Sequence, residues 1–260
     1  NNRFAHTGQM RYEDGIERIP AAAISVPDAQ QLSKMLTINP ELTLSLQMSN
    51  NLPGTVTSHN VIAEITGSKR PDEIVLISAH LDSWDEGTGA LDDGAGVGIV
   101  MATAALLKQE KPERTIRVVL FGNEEGGLVG ARAYAAKHAA KLKNHVFASE
   151  SDFGAGRIWR LDTGFGEKAL AFGNTLQQKL APLGVEMGDN TASGGPDVSV
   201  LKAQGVPVVS LQQDGTDYFD YHHTPNDTMD KIDPAAMQQN VDAWLITTGE
   251  VANSQVDLRR

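Results

Sequence analysis

The residues able to do chemistry stand where short apolar runs stop. Ile74–Ala79 leads into His80-Leu81-Asp82, Thr115–Phe121 into Asn123-Glu124-Glu125, and Val146–Ser149 into Glu150-Ser151-Asp152. Asp92-Asp93-Gly94 immediately precedes a helical pattern, and His222-His223 follows the loop after Val206–Leu211. Taken singly, each has a plain structural reading: His80 as a hydrogen-bonded strand-end histidine, Asp92-Asp93-Gly94 as a turn and helix cap, Glu124-Glu125 as a solvated acidic pair. Taken together they place imidazoles and carboxylates at one edge, where bare charges would repel one another at a cost of several kcal/mol. Divalent cations remove that cost, and imidazole nitrogen with carboxylate oxygen is a donor set that suits zinc. Two such ions about 3.5–4 Å apart can clamp the attacking and leaving oxygens of a hydrolysis, provided one carboxylate bridges them.

Elements that could bring these residues to one edge are readable from periodicity. Val61–Ile65, Ile74–Ala79, Thr115–Phe121, Val146–Ser149 and Val206–Leu211 are short and apolar or β-branched throughout, as strands buried on both faces are. Between them, helices are predicted over Ala95 to Leu107, over Leu128 to His138, and through Ala169, Phe172, Leu176 and Leu180. A final helix should start at Pro234 with Asp233 as its N-cap and Met237, Val241, Trp244 and Leu245 on its buried stripe. Alternating strands and helices give an α/β fold with a mostly parallel central sheet flanked by helices on both faces, and ligands of such sheets bind beyond the carboxyl ends of the strands. Ahead of this lie an apolar run at Ala21–Val26, read as a strand, and a helix opening at Pro27-Asp28 with Ala29, Leu32 and Leu36 on one face. The polar stretch Ser49–Ser58 reads as a linker or loop.

Composition narrows the functional classes. The 260 residues carry a net charge of -11 and no Lys/Arg-rich run, which argues against a nucleic-acid partner. There is no cysteine, so disulfides, thiolate zinc sites and thiol catalysis are excluded. No uninterrupted apolar run of about 18 residues is present to span a membrane. The chain begins at Asn1 with no signal peptide, as a processed product or fragment would.

The segments Ser78-Ala79-His80-Leu81-Asp82-Ser83-Trp84, Gly89-Ala90-Leu91-Asp92-Asp93-Gly94-Ala95-Gly96, Asn123-Glu124-Glu125-Gly126, Glu150-Ser151-Asp152 and His222-His223-Thr224 with Asp227-Thr228 resemble the di-zinc aminopeptidase and carboxypeptidase family. Within it, the chain looks most like the plasma glutamate carboxypeptidase branch. The resemblance implies the zinc-exopeptidase fold and two Zn2+ ions: Asp92 bridging, His80 and Asp152 on one ion, Glu125 and His223 on the other. It implies Glu124 as general base and Asp82 as acceptor of the other ring N–H of His80. It also implies a peptide bond after Asp92 that is often cis. Two departures stand out. His222 occupies a position where many relatives carry a carbonyl-polarising tyrosine, and an imidazole there can take the oxyanion-stabilising role; the loop Ser193-Gly194-Gly195-Pro196-Asp197 lacks the arginine of some aminopeptidases. The substrate implied is a dipeptide or short peptide; the alternatives are an aminopeptidase on longer peptides and a non-catalytic binding domain. His6-Thr7-Gly8 and Ile19-Pro20-Ala21-Ala22 look like the end of that branch's inserted protease-associated-type domain, dividing the chain into a remnant over 1–45 and a catalytic domain over 46–260. The branch is typically exported, so a secreted or periplasmic location is expected; a homodimer is left open.

Overall fold

The computed structural model describes residues 3–50 and 54–260. Its sheet contains β1 (Val61–Ile65), β2 (Arg70–His80), β3 (Arg114–Phe121), β4 (His145–Glu150), β5 (Ile158–Gly164), β6 (Glu186–Met187) and β7 (Val208–Gln213). The spatial order is β1-β3-β2-β4-β7-β5-β6. The centre, β3-β2-β4-β7, is parallel throughout; β1 joins β3 and β5 joins β7 antiparallel. The sheet is therefore mixed, with a parallel middle, and helices cover both faces.

Side-chain alternation along the central strands explains the two layers. From β2, Val75, Ile77 and Ala79 face α2 (Ala95–Leu107), α4 (Leu170–Leu180) and α7 (Pro234–Asn253), in a cluster that includes Ile99, Leu176 and Trp244. The alternate residues Ile74 and Leu76 face α3 (Val129–His138) and α5 (Pro196–Lys202), with Tyr134, Val198 and Leu201. As predicted, the Asp233 side chain caps α7 by accepting from the Ala235 amide at 3.0 Å.

Several expectations are corrected. Residues 21–25 form no strand; Ser25 instead caps α1 (Val26–Ile38), accepting from the Asp28 amide at 3.2 Å. The apolar face expected on α1 is not buried, with Leu36 46% exposed. β5, β6, α5 and the single turn α6 (Tyr218–Tyr221) were not anticipated. Of the expected linker, Asn51 and Pro53 lie outside the described residues, while 54–58 is irregular. One helical stretch, Ala90–Glu110, is after all long and apolar enough to cross a membrane, but half of it is buried. It contains α2, which lies between β2 and α7 as a core helix.

Candidate active site at the carboxyl edge of the sheet

The four parallel strands all end on the same side, and their following loops bring the predicted residues together. β2 delivers His80, only 1% exposed. Its Nδ1 lies 2.8 Å from the Asp82 main-chain carbonyl. A carbonyl can only accept, so Nδ1 carries the proton and Nε2 is turned inward, 3.0 Å from Asp92 Oδ1 and 3.3 Å from Asp152 Oδ1. This corrects the role expected of the Asp82 carboxylate, which stays 3.8 Å from His80 Nδ1. That carboxylate instead accepts from the Glu124 and Glu125 amides at 2.9 and 3.1 Å, hanging the loop after β3 on the loop after β2.

Asp92 is held by the segment around it. The Asp227 carboxylate accepts from the Leu91 amide at 2.6 Å and the Asp92 amide at 3.1 Å. The Asp92–Asp93 peptide bond is cis. The Asp93 carboxylate turns the other way and accepts from the His80 amide (3.0 Å) and the Gly96 amide (3.1 Å), tying the end of β2 to the start of α2. Only glycine fits at position 96, since a Cβ there would sit 2.1 Å from the Ser151 carbonyl and 2.2 Å from the Asp93 carboxylate.

From the loop after β7, His223 points Nε2 at Asp92 Oδ2 (3.1 Å) and Glu125 Oε1 (3.2 Å), while its Nδ1 lies 2.8 Å from the Thr7 carbonyl. His222 stacks on His223 with ring centroids 3.5 Å apart and brings its own Nε2 to 3.3 Å from Asp92 Oδ2. Asp92 thus offers one oxygen to His80 and the other to His222 and His223. Donor atoms of His80, Asp92 and Asp152 lie within 4.8 Å of one another, as do those of Asp92, His222 and His223, and those of His80, Glu124 and Glu125. A cleft of about 290 Å³ opens over these groups, walled by Phe153, Pro196, Tyr218 and Phe219.

The electrostatics are those of a site dense in charge. Burial opposes a charge on His80, but hydrogen bonds to Asp152 and Asp92 outweigh it and hold the imidazolium far above its usual range. His223 behaves alike: burial lowers it, Asp92 and Glu125 raise it, and the outcome is about 10. Asp92 is buried, yet its histidine partners keep it ionised well below the usual carboxylate range. His222 is pushed down by burial and by His223, which leaves it neutral. Burial and the charge of Asp152 push the Glu124 carboxyl up to about 8. Behind the site, Glu150 and Asp197 are buried side by side, burial raising both, Asp197 to about 7. The imidazole and carboxylate donors suit zinc, and their grouping within 4.8 Å of one another fits divalent cations.

All eight predicted site residues gather here, Asp82 one layer out. Sequence reasoning assigned no role to Asp93, Asp227 or Asp197. Asp93 and Asp227 stand inside the quoted motifs, and that position was the available signal; Asp197 sits in what reads as a glycine-rich loop.

A mixed α/β sheet whose carboxyl edge gathers imidazoles and carboxylates around one shared aspartate is the arrangement of a metal-dependent hydrolase. The chain belongs to peptidase family M28, whose family model matches residues 60–248. It is 38% identical over 257 residues to carboxypeptidase Q of Pongo abelii and 37% identical over 257 residues to that of Homo sapiens, covering 98% of this chain and 54% of each relative. The chain thus spans about half the length of these curated relatives. Among solved structures it is similar to a peptidase M28 precursor from Shewanella amazonensis, with TM-score 0.96 and 56% identity over 100% of this chain and 59% of that one. A zinc aminopeptidase from Bacillus subtilis shares the fold, with TM-score 0.62 and 23% identity over 77% of this chain and 52% of that one.

Proposed function

We propose that this chain is the catalytic part of a metallo-exopeptidase that cleaves dipeptides or other short peptides at a pair of zinc ions. The observation that carries the reading is Asp92, whose two oxygens face His80 Nε2 at 3.0 Å and His223 Nε2 at 3.1 Å, as a carboxylate shared between two cations must. In this reading Asp152 completes the His80 side, Glu125 completes the His223 side, and the similarity to a zinc aminopeptidase favours zinc. When bound, the ions supply positive charge that activates water and polarises the scissile carbonyl.

The chain's own groups do the rest. Glu124 borders the cleft and takes a proton from the attacking water, then returns it to the leaving amine. Its carboxyl, raised to about 8, is poised near neutral pH, and positive charge bound beside it would favour the ionised form that a base requires. Neutral His222 donates a hydrogen bond to the developing oxyanion. Phe153 and Phe219 give the cleft apolar walls that exclude water. A secreted or periplasmic location is part of this proposal and rests on the resemblance alone.

The test combines metal analysis with turnover. About two zinc ions per chain, zinc-dependent cleavage of a dipeptide panel, and a contrast with an amino-blocked control support an exopeptidase and define the terminus it needs. Glu124→Gln should retain metal and fold while losing turnover. Absence of zinc binding, or near-normal activity in Glu124→Gln, refutes the reading.

A further inference from the structure

The segment His6-Thr7-Gly8-Gln9 has no place in the mechanism above and reads in sequence as a leftover of a neighbouring domain. In the structure it lies against the two loops that carry His223 and Glu125. The Thr7 amide and hydroxyl both donate to the His223 carbonyl, at 2.9 and 3.1 Å, and the Thr7 carbonyl takes the Nδ1–H of the His223 ring at 2.8 Å. On either side, His6 Nδ1 reaches the His222 carbonyl at 2.7 Å and Gln9 Nε2 the Glu125 carbonyl at 2.7 Å. These contacts join residues more than a hundred positions apart and tie the loop after β7 and the loop after β3 to one segment.

We infer that residues 6–9 are a positioning arm of the metal centre, with the Thr7 carbonyl fixing the ring of His223; this rests on the reading of His223 as a zinc ligand. The ring's orientation has no substitute on its own loop. His80 takes its carbonyl from Asp82, two residues along the chain, whereas His223 takes its carbonyl from an arm 216 residues away. A carbonyl on Nδ1 leaves Nε2 as the nitrogen aimed at Asp92 and Glu125, the orientation a ligand needs. The backbone reinforces the argument. His223 sits at φ 59°, in the left-handed region that a non-glycine residue enters only at a cost, and such a conformation persists only where surrounding contacts determine it. Two of those contacts, both on the His223 carbonyl, come from Thr7. Outer-shell partners of this kind shift metal affinity by about 10- to 100-fold.

The test is a triple variant, His6→Ala/Thr7→Pro/Gln9→Ala, which removes the two side-chain anchors, the Thr7 amide donor and the hydroxyl. The arm is half-buried or exposed and contributes nothing to the apolar core, so the fold should survive, as circular dichroism would show. Chelator competition should give a zinc affinity about 10- to 100-fold weaker for the ion on the His223 side, with Thr7→Ser, which keeps both donors, close to wild type. Independently of added metal, the downfield Nδ1–H proton of His223 should be protected from exchange in the wild type and lost in the triple variant. An unchanged affinity together with a protected Nδ1–H in the triple variant overturns the arm's role. A wild type that binds no zinc while its Nδ1–H responds to the arm overturns the metal reading and leaves the positioning contact standing.

Discussion

Acid should weaken this protein through one histidine far from the cleft. His145 opens β4, the strand that carries Glu150 and Asp152 to the site, and it is fully buried. The Arg117 guanidinium donates to the Tyr134 hydroxyl at 2.6 Å, so that hydroxyl gives its own proton to His145 Nε2 at 2.7 Å, and His145 Nδ1–H points at the Lys141 carbonyl at 3.3 Å. The network is complete with a neutral ring. A second proton would displace the tyrosine's hydrogen bond and place a cation beside Arg117, with His138 and Arg259 also close. Burial first, then Arg117, lower its pKa from 6.5 to about 4. Because the folded value lies below the unfolded one, the stabilisation is fully present above about 6.5 and is lost as pH falls toward 4. The whole shift corresponds to about 3 kcal/mol, of which about 2 kcal/mol is lost between pH 7 and pH 5. Denaturant unfolding of chelator-treated protein at both pH values, beside His145→Gln, isolates this part because the other titrating groups are common to both. The wild type should lose about 2 kcal/mol more than the variant. Equal losses, or an NMR titration of His145 with a midpoint near 6.5, would refute the reasoning.

Three further outcomes follow from the site. Asp227→Ala strips the acceptor from two amides that set Asp92, which should cost about 2–5 kcal/mol in stability and weaken zinc binding about 10- to 100-fold, measured by calorimetric unfolding and chelator competition. Gly96→Ala drives a Cβ into the Ser151 carbonyl and the Asp93 carboxylate, and should destabilise by about 3 kcal/mol, at the upper end for overpacking; a change under about 1 kcal/mol in denaturant midpoint analysis would contradict the packing. His222→Ala should retain two zinc ions while kcat falls about 10²- to 10³-fold if the ring acts as an oxyanion donor; loss of one ion would instead make it a ligand, since its Nε2 shares Asp92 Oδ2 with His223.

The central strands were legible because burial on both faces demands continuous apolar sequence, and β2, β3, β4 and β7 lie inside the sheet between two helical layers. β5 escaped notice because Arg160 and Asp162 interrupt its apolar run; they satisfy each other at 2.8 Å, and the mostly buried Asp162 is capped further by the Asp189 amide. β6 is too short to leave a pattern. α5 starts at Pro196 directly after Gly194 and Gly195, both at positive φ, so the local sequence reads as a loop until Val198 and Leu201 find the core. The apolar run at 21–25 pairs with no strand of the sheet, and its last residue, Ser25, is the cap of α1.

At the site, what could be read was chemistry and what could not was orientation. A side chain that binds a cation or moves a proton must be a residue of the right type, so His80, Asp92, Glu124, Glu125, Asp152, His222 and His223 leave a signature in the sequence. The groups that aim the two inward histidines are main-chain carbonyls, of Asp82 for His80 and of Thr7 for His223. Every residue carries a carbonyl, so no pattern marks these two. The Asp82 side chain, which the resemblance assigned to His80, is free to hold the Glu124 and Glu125 amides because the carbonyl beside it already fixes the ring. Substituting Asp82 with Asn therefore tests a loop attachment rather than a tautomer: Glu124 and Glu125 should lose their register, with turnover falling, while His80 keeps its Nδ1–H protected from exchange.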